Sequence, residues 1–223
     1  MDKQQIQKKF IEATEEENAQ SMQTKKKVWF FRHAQSLANA DKNYKSDNFS
    51  VPLVPLSELG LKQAEEVVSY FGLAPDLIVT SSYIRTKQTA NYLIKKYPNT
   101  PQEEWEDIRE FTYLSLDRCF NTSFGERQPF KEEYWNRNDP NYNDGEGAES
   151  FSDFISRVRN AIEMLKNCKE KFIVLFSHEF TISAVKYLLE KNPKEITSKE
   201  MSEYREYFLA NRIPNTGKVE IIL

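Results

Sequence analysis

Short apolar runs alternate along the chain with stretches whose apolar residues recur every three or four positions. The runs Val28-Trp29-Phe30-Phe31 and Phe172-Ile173-Val174-Leu175-Phe176 are each bounded by polar residues and followed by a helical pattern. That is how a strand buried on both faces of a parallel sheet reads. Asp76-Leu77-Ile78-Val79-Thr80 reads as a further short strand and Lys218 to Leu223 as a last one. Between them, Ser57 stands as N-cap before Leu61, Ala64, Val67, Val68 and Phe71, a helical stripe ended by Gly72 and Pro75. Ser81 and Ser82 precede a helix from Tyr83 to Lys96, stopped by Pro98, with Arg85 in its first turn. Ser150 and Asp153, at capping-box spacing, open a helix with Phe151, Phe154, Ile155, Val158, Ile162 and Leu165 on its buried face. Another helix runs through Val185 and Leu189, and Thr197 with Glu200 opens one that reaches Phe208. Alternation of this kind predicts an α/β fold, a mostly parallel sheet with helices on both faces.

Two segments break the pattern. From about Asp117 to Gly147, Asn, Asp and Pro are set among Phe120, Phe124, Phe130, Tyr134, Trp135 and Tyr142, which reads as an insertion in a compact fold. Its rings either select a ligand, together with Arg118, Arg127, Lys131 and Arg137, or anchor the insertion on the core. Residues 1–27 are polar and charged apart from a thin stripe of Ile6, Phe10 and Ile11, and are expected to form a loosely docked arm ahead of one domain over 28–223.

Composition narrows the class. With 39% hydrophobic and 13% aromatic residues in 223, a single sizeable core is available. The net charge of -3 supplies no overall basic field for nucleic acid or an anionic membrane, so a cationic site must be local. The two cysteines, Cys119 and Cys168, form neither a metal cluster nor a redox pair by spacing. The first residues lack the apolar core of a signal peptide, and the expectation is a cytoplasmic protein.

The chain has 2 histidines, and each stands where an apolar run gives out: His33 after Arg32, His178 after Ser177. Open parallel sheets bind ligands just beyond the carboxyl ends of their strands. Three predicted strand exits therefore carry His33, Arg85 and His178, which could converge on one pocket; the alternative is a pair of structural histidines closing off strands. Two imidazoles and a guanidinium suit a phosphate, because Arg offers a planar fork of donors to its oxygens and a helix start adds backbone N–H groups. Arg32 adds a second fork only if the chain has left the strand by His33, since adjacent strand residues face opposite ways.

Arg32-His33-Ala34-Gln35-Ser36 with Asn39 resembles the Arg-His-Gly signature of the histidine phosphatase superfamily, also called phosphoglycerate mutase-like. Other segments agree in order: Pro55-Leu56-Ser57-Glu58-Leu59-Gly60 with Gln63-Ala64, the run Ser81 to Ala90, Gly147-Ala148-Glu149-Ser150, Ser177-His178, and Asn215-Thr216-Gly217. The resemblance extends from Val28 to the carboxyl terminus. It implies a three-layer αβα sandwich with a lid-like insertion over about 117–147, and a phosphomonoester hydrolase needing neither metal nor cofactor, acting on a small molecule.

In that picture His33 is the nucleophile that becomes a phosphohistidine, while Arg32, Asn39, Arg85 and His178 bind the phosphate and Glu110 is the proton donor. Glu179, directly after His178, is the rival donor. Two positions depart from the family pattern, Ala34 and Glu179, where glycine is usual. An alanine at 34 is strained if φ is positive there, and a carboxylate at 179 repels a dianion unless turned away or protonated. A phosphoglycerate mutase-type phosphotransferase and a weakly active phosphate-binding domain are the other readings; the small Ala38 before Asn39 and the lack of long extra segments count against the mutase.

Overall fold

The computed structural model describes residues 25–45 and 51–223. In chain order the strands are β1 (Lys27–Arg32), β2 (Leu77–Thr80), β3 (Gln102–Glu104), β4 (Phe172–Ser177) and β5 (Lys218–Ile222). They form one sheet in the order β3-β2-β4-β1-β5, parallel throughout except for β5, which runs antiparallel to β1. The helices are α1 (Leu37–Ala40), α2 (Glu58–Glu66), α3 (Ile84–Lys96), α4 (Leu116–Cys119), α5 (Gln128–Arg137), α6 (Phe151–Asn167), α7 (Glu179–Lys191) and α8 (Ser198–Ala210).

Strand alternation sorts the core into two halves. Val28, Phe30, Leu77, Val79, Ile173 and Leu175 face α6, α7 and α8. Trp29, Phe31, Ile78, Val174 and Phe176 face Ala90 and Leu93 of α3 and the turn at Val67 and Phe71. The result is the three-layer sandwich the alternation implied. Capping boxes open α6 at Ser150 and Asp153 and α8 at Thr197 and Glu200.

Four features differ from the sequence reading. The helix begun at Ser57 is α-helical only to Glu66, and Val67–Tyr70 continue as a tighter turn. Strand β3 lies at the sheet edge with all three residues exposed, so it carries no apolar run to announce it. The insertion holds two helices, α4 and α5, and buries Tyr134 and Trp135 among Phe111, Phe151 and Phe180. These rings anchor it on the core. Finally, Lys26 and Lys27, read as part of the arm, join the sheet: Lys27 opens β1, Lys26 exchanges backbone hydrogen bonds with Leu223, and its ammonium donates to the carbonyls of Leu165, Lys166 and Cys168 at the end of α6. A cation there satisfies carbonyls the helix leaves open. The Ile6, Phe10 and Ile11 stripe of the predicted arm lies outside the described residues.

The register sets up the site. Arg32 pairs with Ser177 and Thr80 with Phe176. One residue further, His33, His178 and Ser81 leave the sheet together, with His33 N–H donating to Ser177 O at 2.9 Å and Ser81 N–H to Phe176 O at 3.2 Å.

Candidate active site

The loop after β1 is held from several sides. Ala34 N–H donates to Thr89 Oγ1 at 3.0 Å, Gln35 N–H to Gln63 Oε1 at 2.9 Å, and Gln35 O accepts Ser57 N–H at 2.9 Å. Helix α2 starts so close to this loop that a Cβ at Gly60 would lie 2.0 Å from Gln35 O, which only glycine avoids. Ala34 is not among the residues of positive φ, so its methyl carries no backbone strain and packs, fully buried, with Leu56 and Ala64.

Past the strand end, the His33 and His178 rings stand 5.2 Å apart. His33 Nδ1 lies 2.7 Å from Ala34 O. A carbonyl only accepts, so Nδ1 carries the hydrogen and Nε2 keeps its lone pair. Burial, then Arg85, then Arg32 hold His33 well below the ordinary histidine value, against the opposing bond to Ala34 O. His178 is the N-cap of α7. Arg85 Nη2 approaches its Nδ1 at 3.3 Å, and its Nε2 is 2.7 Å from Ser81 Oγ. Since a guanidinium only donates, Nδ1 accepts and Nε2–H donates to Ser81. Ser81 Oγ lies 2.9 Å from Thr86 Oγ1, whose hydroxyl reaches Tyr83 O at 2.7 Å, so the chain of donors closes. Burial and Arg85 keep this second imidazole neutral as well.

Arg85, buried in the first turn of α3, has its guanidinium 4.7 Å from the Tyr83 ring centre; burial lowers it to about 10, which leaves it cationic at neutral pH. Arg32 Nη1 donates to Ile213 O at 2.5 Å and sits 3.0 Å from Glu179 Oε2. Its Nε is buried without a hydrogen-bond partner among the described residues, an orphan donor of the kind a bound anion satisfies. Glu179 is gripped by Arg212, at 2.6 and 3.0 Å, and accepts Ile213 N–H at 3.1 Å. Its carboxylate is thereby compensated by two guanidiniums rather than left to repel an anion.

Glu110 is half-buried, accepts its neighbour Phe111's N–H at 3.0 Å, and is raised above the ordinary carboxylate value by burial, against the pull of that bond, Arg85 and Arg32. Its backbone is clamped. Arg157, on α6, donates to the carbonyls of Asp107 and Arg109 at 2.9 Å and of Glu110 at 3.1 Å. The same guanidinium binds Glu149 in a fork of 2.8 and 2.7 Å, and Glu149 also takes Arg109 Nη2 at 2.8 Å and Thr112 N–H at 3.2 Å. Asn39 is exposed, with Oδ1 accepting from Asn215 Nδ2 at 3.2 Å; that amide also donates to His33 O at 2.9 Å.

The histidine and arginine exits thus meet at one end of the sheet, with Glu110 coupled to Arg85 and Arg32 by charge. Among the described residues no group of three His, Cys, Asp or Glu is placed to hold a metal, and no helix is long and apolar enough to cross a membrane.

A family model for the histidine phosphatase superfamily (branch 1) matches residues 28–205. The chain belongs to this superfamily. Its fold is similar to that of a mycobacterial glucosyl-3-phosphoglycerate phosphatase (TM-score 0.63, 20% identity, 89% of this chain and 90% of that one). It is equally similar to an alpha-ribazole phosphatase from Shigella flexneri (0.64, 19%, 87% and 89%). A phosphoserine phosphatase from Entamoeba histolytica, solved with 3-phosphoglyceric acid, matches to the same extent (0.64, 19%, 87% and 89%). No curated protein sequence matches the chain.

Several residues around this histidine phosphatase site escaped the sequence reading. Arg212 follows α8 with no motif around it, and Arg157 sits among the apolar positions of α6, where its only signal is an arginine on a helix face that should be buried. Ser81, read as a cap residue, and Asn215, read as part of a turn, hold the two histidines instead.

Proposed function

We propose that this histidine phosphatase hydrolyses a phosphomonoester through a phosphohistidine on His33, without metal or cofactor. The observation that carries the reading is the 2.7 Å contact of His33 Nδ1 with Ala34 O, which assigns the ring hydrogen to Nδ1. With Nδ1–H spent on Ala34 O, the Nε2 lone pair is bare and unprotonated beside Arg85, His178 and the orphaned Nε of Arg32. Nε2 attacks phosphorus, the bond to the ester oxygen breaks, and Glu110 gives its proton to the departing alkoxide. Water then loses a proton to the Glu110 carboxylate and attacks the phosphohistidine, which releases phosphate and restores both groups.

Arg85, Arg32, Asn39 and His178 bind the non-bridging oxygens and offset the charge that shifts in the transition state. His178 Nδ1 accepts from Arg85, so it donates to a phosphate oxygen only after taking up a proton, which a bound dianion favours. Glu110 is preferred over Glu179 as acid because burial keeps Glu110 protonated more readily, whereas Glu179 is engaged by two guanidiniums. That engagement also removes the reason for a binding-only domain. The fold relatives support the reaction class: three phosphatases named for different phosphoesters share this architecture.

A panel of phosphomonoesters, assayed for free phosphate with His33→Ala as control, tests the proposal. Phosphate release that vanishes in the variant supports it. An isomerised phosphoester without free phosphate would favour the mutase reading, and binding without release the binding domain.

A further inference from the structure

A cavity of about 160 Å³ opens beside Glu110, walled by Tyr113, Cys119, Arg127 and Lys131. Arg127 caps the start of α5 and Lys131 lies one turn on, so both project from the same helix face. The other arginines of the insertion have acidic partners: Arg118 binds Glu133 at 3.0 Å and Asp144 at 3.4 Å, and Arg137 lies 3.7 Å from Glu133. Arg127 and Lys131 form no ion pair with any described residue. The Lys131 ammonium sits 3.2 Å above the centre of the Phe124 ring and 3.5 Å from Phe124 O, and Arg127 meets the Cys119 thiol. Burial, and then Arg127, push Lys131 down to about 8. Two neighbouring cations, partly withdrawn from water and without a counter-charge, form a site short of an anion.

The cavity adjoins the phosphate site. Its wall residue Thr112 lies 3.1 Å from the Tyr83 hydroxyl, and the Tyr83 ring is 4.9 Å from His178. The other wall is Glu110 itself. The cavity is open to solvent and has room for an anionic group on a short chain.

We propose that Arg127 and Lys131 receive a second anionic group of the substrate, a carboxylate or another phosphate, so that the substrate class is a phosphomonoester bearing a second negative charge a few bonds from the scissile ester. This deepens the phosphatase reading, on which it rests for the reaction but not for the binding.

The test measures binding by calorimetry on the His33→Ala protein, so that turnover is not required. Two matched pairs serve as probes: 3-phosphoglycerate against glycerol 3-phosphate for a carboxylate, and fructose 1,6-bisphosphate against fructose 6-phosphate for a phosphate. The doubly anionic member of at least one pair is expected to bind about tenfold or more tightly, the worth of a charge-assisted contact. The pair that discriminates tells which anion the cavity takes. In Arg127→Met/Lys131→Met the ratio within that pair falls toward one, while Lys131→Arg retains it. Equal binding within both pairs, no binding of any probe, or a ratio that survives the double substitution overturns the proposal. Release of phosphate from p-nitrophenyl phosphate by the unaltered protein reports on the phosphatase reading separately.

Discussion

An imidazole attacks phosphorus only when its lone pair is both aimed and unprotonated, and at His33 these conditions have different sources. The aim comes from the carbonyl of the next residue; the missing proton comes from burial and from Arg85. Glu110 is the mirror case, an acid raised above the ordinary carboxylate value by burial despite two cations nearby. Two outcomes follow from this pairing. In Glu110→Gln, kcat on alkyl phosphates falls by about 10² to 10⁴, while p-nitrophenyl phosphate, whose leaving group departs without a proton, loses far less; equal losses on both would remove Glu110 from the acid role. The pH profile of kcat/KM should rise as His33 loses its proton, below the ordinary histidine value, and decline as Glu110 ionises, above the ordinary carboxylate value. The declining limb is absent in the Gln variant if Glu110 is its source.

At the scale of elements, the site is assembled by contacts between segments that carry no chemistry themselves. The Glu110 loop is irregular, and its carbonyls are satisfied by Arg157, by Ser177 Oγ at 2.7 Å from Ile108 O and by Thr181 Oγ1 at 2.6 Å from Arg109 O. Arg157 therefore couples α6 to Glu110, the proposed proton donor. Replacing Arg157 with Met leaves the buried Glu149 only Arg109 and the Thr112 N–H and should cost about 1–3 kcal/mol in urea unfolding. Arg157→Lys keeps the charge but not the fork. Its expected signature is a lower kcat on alkyl phosphates with a displaced basic limb, and no further loss when combined with Glu110→Gln; an additive loss would reduce Arg157 to a purely structural part. Gly60 does the same for the loop that carries His33. A methyl group there must displace Gln35, so Gly60→Ala should destabilise by about 1–3 kcal/mol and lower activity together, measured by denaturation and phosphate release.

At the scale of the whole molecule, parallel strands deliver both histidines to one edge, and that edge was legible because apolar runs mark buried strands and polar residues mark where they stop. The two faces of the core followed from the same alternation. What the pattern concealed has physical reasons: β3 is an exposed edge strand with nothing to bury, α5 has a polar surface interrupted by the three rings of Phe130, Tyr134 and Trp135, and Arg157 and Asn215 act through backbone carbonyls and Arg212 through the Glu179 carboxylate, contacts that no periodicity records. The buried histidines also tie stability to pH. Their folded values lie well below 6.5, so the unfolded chain binds protons that the native state refuses. Stability from this source is complete above about pH 6.5 and drains away as pH falls toward the folded values. Glu110 contributes with the opposite sign below its raised value. Urea midpoints should drop as pH falls below about 6.5, and less steeply in His33→Asn; an unchanged slope would show that His33 is not held neutral by the fold.

A covalent bond between His33 Nε2 and phosphorus would be captured by mixing the protein briefly with a radiolabelled phosphodonor, quenching in alkali and mapping the label. The expected result is an acid-labile, alkali-stable label on the peptide containing His33, absent from His33→Ala. Turnover without such a label, a label that survives acid, or one that persists in His33→Ala would contradict it.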